Sequence, residues 1–316
     1  MISAIQANEP KYLKAQGGHV ESYFIRASNP ECTKSFWIRS TVFIKDKTSK
    51  PVAELGFIYC DHNVTVSKKI NIDPNHIKLQ LLGKGKCNDD NWWDIIALGF
   101  DSEIAKPMTL FPWNWMLDGS FPKSKLLTPQ PIIRFNGVIN VNGEIIDIHN
   151  WIGMQGHNWG KEHAHEYVWG QCVFEKQECV VEAFTATIKL GLITSPRMSS
   201  LVIRHKDKEY RFDNTFDFWK QRVSYDQDDL IWRLNLSGKQ GTAKLVMAGN
   251  MKTVACLEYE NPKSNKSYCT NSMLSTTMIE VVPEKDKPFI CFSDSGMLEF
   301  LSKRPSIYCN NKGPIK

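Results

Sequence analysis

Short runs of alternating apolar and polar residues, separated by polar turns, constrain the fold of this chain more than any other feature. The runs 20–26 (VESYFIR), 36–44 (FWIRSTVFI) and 52–58 (VAELGFI) are rich in β-branched and aromatic residues and alternate with a period of two. That pattern is typical of half-buried strands. Further strands are predicted at 64–70, 76–82 and 92–99 in the first half, and at 167–175, 179–190, 201–212, 230–249 and 267–282 in the second.

Turn residues between these runs indicate antiparallel hairpins. Asn142-Gly143 is a strong two-residue hairpin signal, and turns are also predicted at Lys206-Asp207 and between Gly238 and Gly241. Helix signals are confined to 214–222 and 293–303.

Many short antiparallel strands predict a sandwich or a barrel, and a barrel of about eight strands is wide enough to hold one small ligand. The chain has 316 residues, which is long for one such barrel and sufficient for two. We therefore expect an all-β protein of two tandem lipocalin-like (calycin-type) antiparallel barrels with a few short helices. The boundary is expected near residue 150, giving domains 1–150 and 151–316, with a ligand pocket near their junction.

Composition excludes several classes of function. The net charge of +5 is spread without a basic block, which argues against nucleic acid as a partner. No run of eighteen apolar residues predicts a transmembrane segment, and the N-terminus lacks an apolar signal core, so a cytoplasmic protein is expected. The nine cysteines are scattered and never spaced Cys-x-x-Cys, which predicts neither a disulfide framework nor a zinc site.

Familiar catalytic and nucleotide-binding motifs are missing from the sequence. It contains no Gly-x-Ser-x-Gly, Gly-x-Gly-x-x-Gly or P-loop motif. Hydrolase, nicotinamide, flavin and ATP chemistry therefore have no motif here, and no cofactor is predicted. Ten tryptophans are present, seven of them between residues 92 and 169. They are either core residues or the lining of an aromatic cavity.

The segment 151–171 (WIGMQGHNWGKEHAHEYVWGQ) carries the densest group of chemically versatile side chains. Its glycines predict a loop at 156–160 (GHNWG) that leads into a strand beginning near Tyr167. On that strand Tyr167, Trp169 and Gln171 share one face, and Glu182 and Phe184 share a face of the next strand. We expect His157, Asn158 and Trp159 to form the polar end of the pocket, with Glu21 and Gln171 nearby.

Two kinds of chemistry fit these side chains. His163-x-His165 with His157 could ligate zinc, although the spacing is loose and no metal is predicted. Alternatively, Glu182 or Glu21 in an apolar pocket could be held protonated as a general acid beside a histidine. The structural alternative is that these groups satisfy buried backbone hydrogen bonds.

The chain resembles the AttH-like family, which is related to bacterial carotenoid 1,2-hydratases and shares its architecture with lipocalin-like Diels–Alderases. The matching segments are HVESYF at 19–24, FWIR at 36–39, GSFP at 119–122, Pro131, Gly137, GHNWG at 156–160, His163, YVWGQ at 167–171 and Asn271-Ser272. They occur in order over nearly the whole chain. The resemblance implies two lipocalin-like domains and an activity such as alkene hydration or cyclisation.

The expected function is the binding of an apolar terpenoid, polyketide or fatty-acyl molecule in an aromatic-lined cavity, with hydration or intramolecular cyclisation. The predicted catalytic residues are His157, Glu21 and Tyr167. The predicted ligand-binding residues are Asn158, Trp159, His163, Trp169, Gln171, Glu182 and Asn271. A non-catalytic carrier of hydrophobic ligands is the alternative, and the oligomeric state is left open.

Overall fold

The computed structural model describes residues 4–15, 17–76, 81–187, 189–190, 193–214, 219–260 and 266–309. In this part of the chain almost all regular structure is antiparallel strand, and no helix reaches seven residues. The short helical turns are α1 (Ala4–Ala7) and 3₁₀ turns at Tyr12–Lys14, Pro74–His76, Glu103–Ala105, Asn114–Leu117, Glu175–Gln177 and Met251–Thr253. None of the helices in these ranges is long and apolar enough to cross a membrane. The predicted all-β class is confirmed.

The first sheet has eight strands in the order β4-β3-β2-β1-β8-β7-β6-β5. The strands are β1 (His19–Ser28), β2 (Ser35–Ile44), β3 (Val52–Cys60), β4 (Thr65–Ile72), β5 (Gly83–Asn88), β6 (Asn91–Gly99), β7 (Ser124–Val141) and β8 (Glu144–Gly160). Edge strands β4 and β5 come back into contact, so the sheet curls into a nearly closed barrel.

The second sheet has ten strands in the order β14-β13-β10-β9-β20-β19-β17-β16-β15, with β18 also paired to β19. The strands of this half are β9 (Glu166–Phe174), β10 (Cys179–Thr187), β13 (Met198–His205), β14 (Lys208–Phe212), β15 (Arg222–Asp226), β16 (Ile231–Gly238), β17 (Gly241–Gly249), β18 (Val254–Glu260), β19 (Lys266–Pro283) and β20 (Phe289–Ser302). A separate ribbon pairs β11 (Lys189–Leu190) with β12 (Ile193–Thr194).

Two predictions of local structure are wrong, and a third lies mostly outside the described residues. Of the strand expected at 76–82, residues 77–80 are outside the described range, His76 ends a 3₁₀ turn, and the next described strand begins at Gly83. The helix expected at 293–303 lies in β20, because pairing with β9 and β19 on both sides overrides helix propensity. The loop expected at 156–160 is the end of β8, which pairs with β1 and β7 as far as Gly160.

The helix predicted at 214–222 lies partly outside the described residues, and Arg222 already begins β15. The boundary predicted near residue 150 falls within β8, whose pairing belongs to the first sheet throughout. The hairpin at Asn142-Gly143 is confirmed, with φ values of 52° and 89°. Both are in the left-handed region that a type I′ turn requires.

The interior of each sheet is filled by apolar side chains. In β1, Tyr23, Ile25 and Ala27 point into the first barrel, where they pack with a cluster that includes Trp93 and Trp151. The interior of the second sheet is a separate cluster around Trp232. Several tryptophans are therefore core residues, as one of the two interpretations of the sequence proposed.

A third apolar layer lies between the two sheets. It joins Phe24, Trp37 and Met154 of the first sheet to side chains of the second, including Trp169 and Val180. The outward faces of β1 and β8 thus meet the outward faces of β9 and β10, and this layer brings most of the predicted site residues together.

Cys256 and Cys309 form a disulfide, a single bridge that the sequence did not predict. The two residues are 53 positions apart and meet because the segment after β20 folds back toward β18. Sequence spacing carries no signal for such a contact. The other cysteines are free, and five of them are buried as small apolar residues.

Candidate functional site

One face of the second sheet, turned toward the first, carries a row of polar and aromatic side chains. Strand register places Phe184 beside Trp169, Trp169 beside Glu299, and Glu299 beside Asn271. Gln171 and Glu182 form the next cross-strand pair on the same face. Alternation puts Trp169 and Gln171 on one face of β9 and Glu182 and Phe184 on one face of β10, as the sequence predicts, and the pairing register places the strands side by side.

Glu182 is a buried carboxyl group at this face, with a relative exposure of 1%. Its Oε1 accepts hydrogen bonds from Thr128 Oγ1 at 2.8 Å and from Trp169 Nε1 at 3.0 Å. Its Oε2 has no hydrogen-bond partner among the described residues. Burial raises the pKa of Glu182 to about 7, against the opposing effect of those two donors. A carboxyl group in this state holds its proton near neutral pH.

Trp169 lies between the carboxyl group of Glu182 and the ring of Phe24 of the first sheet. The Phe24 ring meets the Trp169 ring edge-on, with centroids 5.9 Å apart and an interplanar angle of 87°. Phe24 occupies the space above Gly156, its cross-strand partner, where a Cβ atom would come within 2.1 Å of the phenyl ring. Gly156 is therefore required for close packing within a strand and does not form a turn.

A second polar cluster lies around Tyr167. Its hydroxyl group donates to Glu299 Oε1. The guanidinium of Arg39 lies 4.5 Å from the ring centroid of Tyr259, and the ring of His163 stacks on Tyr259 at 5.4 Å. Burial and then the positive charges of Arg39 and Lys303 lower the pKa of His163 to about 3, so its imidazole is neutral.

Two buried arginines reach into the layer from the first sheet. Arg26 Nη1 donates to Gln171 Oε1 at 3.2 Å, and Arg26 Nη2 donates to the carbonyl oxygen of Ser295. Arg39 Nη2 donates to Ser22 Oγ at 2.7 Å. The Arg26 contacts bind the sheets together across the layer and hold Gln171 in place.

Glu21, His157 and Trp159 lie elsewhere, on the inward face of the first barrel. Glu21 is fully buried and accepts from His157 Nε2 at 2.9 Å and from His19 Nε2 at 3.1 Å. It also accepts from the backbone N–H groups of Lys11, at 2.9 and 3.0 Å, and Tyr12, at 2.7 Å. The predicted contact between Glu21 and His157 is therefore present.

The donors around Glu21 determine its charge. Burial alone would raise its pKa, but hydrogen bonds from His157 and His19 and the backbone of Lys11 lower it to about 2. Glu21 is thus an ionised acceptor that fastens the segment around Tyr12 to the barrel. His157 is itself enclosed by stacked rings, with Tyr23 at 4.0 Å and Trp159 at 4.5 Å between centroids.

The structure divides the predicted site residues into two groups. Those brought together on the sheet–sheet layer are Tyr167, Trp169, Gln171, Glu182 and Asn271, with His163 at its edge and half-buried Asn158 on the outward face of β8. The second group is Glu21, His157 and Trp159. Adjacent residues of a strand point to opposite faces, so His157 and Asn158 cannot share one site as a tight turn would allow.

The described residues hold no group of metal ligands, and two surface cavities lie away from the predicted site residues. Among the described residues, no three His, Cys, Asp or Glu side chains are grouped as metal ligands. One surface cavity of about 470 Å³ lies at the mouth of the first barrel beside Tyr12 and Lys47, and another of about 380 Å³ lies beside Phe100. Neither is lined by a predicted site residue.

Sequence reasoning gave no role to Thr128, Arg26, Arg39, Tyr259 or Glu299. The arginines had a partial signal, since each follows an apolar and aromatic run, YFI before Arg26 and FWI before Arg39. Thr128 and Tyr259 had none, because their importance depends on which strands face each other.

Comparisons with known proteins show the fold. No family model matches the chain, and no curated protein matches it. Among solved structures, kievitone hydratase from Nectria haematococca superposes with a TM-score of 0.52 and 12% identity, covering 90% of this chain and 89% of that one. An AttH structure from Nitrosomonas europaea gives a TM-score of 0.51 and 12% identity, covering 90% and 93%. At this identity the likeness establishes architecture, and the chain has the AttH-like fold.

Proposed function

We propose that this protein is a hydratase-type lyase that adds water to a carbon–carbon double bond of an apolar small molecule between its two sheets. The observation that carries the proposal is Glu182, a buried carboxyl group whose pKa of about 7 keeps it protonated near neutral pH. The similarity in fold between this chain and a kievitone hydratase supports hydration as the reaction class. The substrate class proposed is terpenoid, polyketide or fatty-acyl.

Hydration of an unactivated alkene begins with transfer of a proton to carbon. Glu182 donates that proton, a new C–H bond forms, and the more substituted carbon becomes a cation. A water molecule then forms the C–O bond and loses one proton, which returns to the Glu182 carboxylate through solvent or Glu299. The net change is addition of H and OH, with no oxidant, reductant or cofactor consumed.

The surroundings of Glu182 fit the cationic stage of this reaction. The indole of Trp169 and the ring of Phe24 offer aromatic faces that stabilise positive charge in an apolar setting. Strand register places Glu299, which accepts the Tyr167 hydroxyl, directly beside Trp169. The proton donor and a candidate proton acceptor therefore flank the same indole.

Glu21 fits the role of acid less well, because its pKa of about 2 leaves it ionised. A carrier that holds its ligand inside the first barrel is less well supported, because that barrel is packed with a cluster that includes Phe36, Trp93 and Trp151. A carrier that binds its ligand between the sheets is the alternative function. The fold itself does not choose between hydration and cyclisation.

The test is conversion of a panel of prenylated and terpenoid alkenes in ¹⁸O-labelled water, with products analysed by mass spectrometry. We expect an alcohol that carries the label. Glu182→Gln removes the acidic proton with little change in shape, so the rate should fall by about 10²- to 10⁴-fold. Glu144→Gln, at an exposed carboxylate of the first barrel, is the matched control and should leave the rate unchanged.

Other outcomes would overturn specific parts of the proposal. An isomeric product without label would assign cyclisation in place of hydration. Tight binding of the alkenes with no conversion would support the carrier. Unchanged turnover in folded Glu182→Gln would remove Glu182 from the reaction.

A further inference from the structure

The loop that connects β6 to β7 exposes an unusual number of aromatic rings. Met108 and Thr128 exchange two backbone hydrogen bonds, at 2.8 and 2.9 Å, and residues 109–123, between Met108 and the start of β7, form one loop, here called the aromatic loop. Within it Trp113 is 45% exposed, Trp115 is 51% exposed and Phe121 is 46% exposed. These are three of the five tryptophan and phenylalanine residues that are exposed in the described part of the chain.

The inner side of the aromatic loop is firmly attached to the protein. Phe111, Met116 and Leu117 of the loop are buried and pack with Leu127 of β7 and Trp159 of β8. Arg211 Nη2 donates to the carbonyl oxygens of Thr109 and Phe111, and Ser200 Oγ donates to that of Leu110. The exposed rings are thus presented by an anchored loop, and Trp113 and Trp115 stack on each other at 6.0 Å.

The base of the aromatic loop contacts the proposed catalytic acid. Thr128, which closes the loop, donates to Glu182 Oε1. Met108, its backbone partner, belongs to the same apolar layer as Trp169. Glu182 is almost inaccessible, so a substrate must pass side chains of this layer to reach it.

We propose that the aromatic loop binds the surface of a lipid bilayer and takes up an apolar substrate there for the reaction at Glu182. Tryptophan rings are favoured at the headgroup level, where the indole body is apolar and its N–H is hydrated. At the end of the loop Lys123 is ion-paired with Glu162 at 3.2 Å, and exposed Lys161 lies beside it, with Lys161 N bonded to Lys123 O. Lys161 and the chain's net charge of +5 favour an anionic surface.

A protein partner fits this surface less well. Three half-exposed rings offer on the order of 300 Å² of apolar surface, so a protein partner with the roughly 800 Å² of a stable interface would also have to cover the polar surface around them. A bilayer requires only that the rings themselves be buried.

This inference rests on the proposed function for the identity of the substrate, but membrane binding is tested separately. Full-length protein would be floated with phosphatidylcholine vesicles containing phosphatidylglycerol as a minority lipid. We expect the wild type to float with them, and the double variant W113A/W115A to partition at least about tenfold less. Trp115→Ala alone serves if the double variant does not fold, and should give a smaller loss in the same direction.

The matched control is I290A/F292A, which removes two side chains that are 62% and 56% exposed on β20. It should float like the wild type. Failure of the wild type to float, or an equal loss in this control, would overturn the proposal. Self-association of the wild type that W113A/W115A abolishes, without flotation, would assign the loop to a protein contact instead.

Two further measurements separate this inference from the proposed function. Glu182→Gln should still float, because it leaves the loop intact. W113A/W115A should convert a detergent-dispersed substrate at the wild-type rate and a vesicle-borne substrate more slowly. Hydration without flotation would remove the aromatic loop proposal alone, and flotation without hydration would remove the proposed function alone.

Discussion

Glu21 and Glu182 are both buried carboxyl groups on neighbouring layers of the molecule, yet their pKa values move in opposite directions. Glu21 accepts from two imidazoles and two backbone N–H groups, and its pKa falls to about 2. Glu182 accepts from one hydroxyl group and one indole, both on the same oxygen, and its pKa rises to about 7. Burial is common to the two, so the number and charge of the donors decide which form is stable.

The comparison also distinguishes a carboxylate that stabilises the fold from a carboxyl group that is suited to proton transfer. The donors around Glu21 come from the N-terminal segment, β1 and β8, so the carboxylate holds three parts of the first barrel together. Glu182 joins the loop base at Thr128 to β9 through only two bonds and keeps a second oxygen without a partner among the described residues. A satisfied ion is suited to holding a fold, and a protonated acid is suited to donating a proton.

The largest effect expected from this comparison is on stability. Glu21→Ala leaves two buried imidazoles and two backbone N–H groups without their acceptor, which should cost about 3–5 kcal/mol of unfolding free energy. Urea denaturation followed by tryptophan fluorescence measures it. Exposed Glu144→Ala is the control and should stay within about 0.5 kcal/mol of the wild type. A loss at Glu21 as small as the control's would show that it does not fasten the barrel.

The second effect is a pair of opposite pH dependences. The pKa of Glu21 is below its ordinary value of 4.5, so the stability it contributes is present above pH 4.5 and is lost as the pH falls toward 2. The pKa of Glu182 is above 4.5, so the stability of its protonated form is present below pH 4.5 and is lost as the pH rises through 7. Each difference corresponds to about 3 kcal/mol at most.

Thermal unfolding between pH 3 and pH 9 measures the pH dependence of stability that each of the two groups produces. Glu182→Gln cannot ionise, so the Tm of the wild type should fall relative to that of Glu182→Gln as the pH rises from 5 to 8. His163, whose lowered pKa makes the fold less stable as the pH falls below 6.5, acts in both proteins and cancels in this comparison. A Tm difference that stays constant over that range would contradict the raised pKa of Glu182.

The smallest effect concerns the indole that links the two sheets. Trp169→Phe keeps an aromatic ring beside Phe24 but removes the Nε1–H bond to Glu182, which favours the carboxylate. The pKa of Glu182 should therefore rise further, by about half a unit to one unit. The alkaline limb of the rate–pH profile would shift upward by that amount. A downward shift would mean that another donor replaces the indole.

The prediction of the fold from sequence worked where local pattern and pairing agree. The alternation in 20–26 and 36–44 predicts β1 and β2, and Asn142-Gly143 predicts the turn between β7 and β8. The prediction failed at glycines, because a glycine can either form a turn or allow close packing within a strand. Gly156 and Gly160 were interpreted as a loop, but they provide space for Phe24 and for the backbone of Lys123 within a continuous strand.

The sequence predicted which face of a strand several candidate residues share, but not how the strands group them. Alternation placed Tyr167, Trp169 and Gln171 on one face, and the structure confirms that arrangement. The pairing of Glu182 with Thr128, and the separation of His157 from Gln171, depend on contacts between residues 40 or more positions apart.

The sequence by itself determined the all-β class, the hairpin at Asn142-Gly143 and the strand faces, because these follow from the two-residue period of a strand and from local turn chemistry. Only the tertiary structure decided which of the two candidate acids is protonated. The pKa of a buried carboxyl group depends on the donors that distant segments bring to it, and no local pattern in the chain encodes that arrangement.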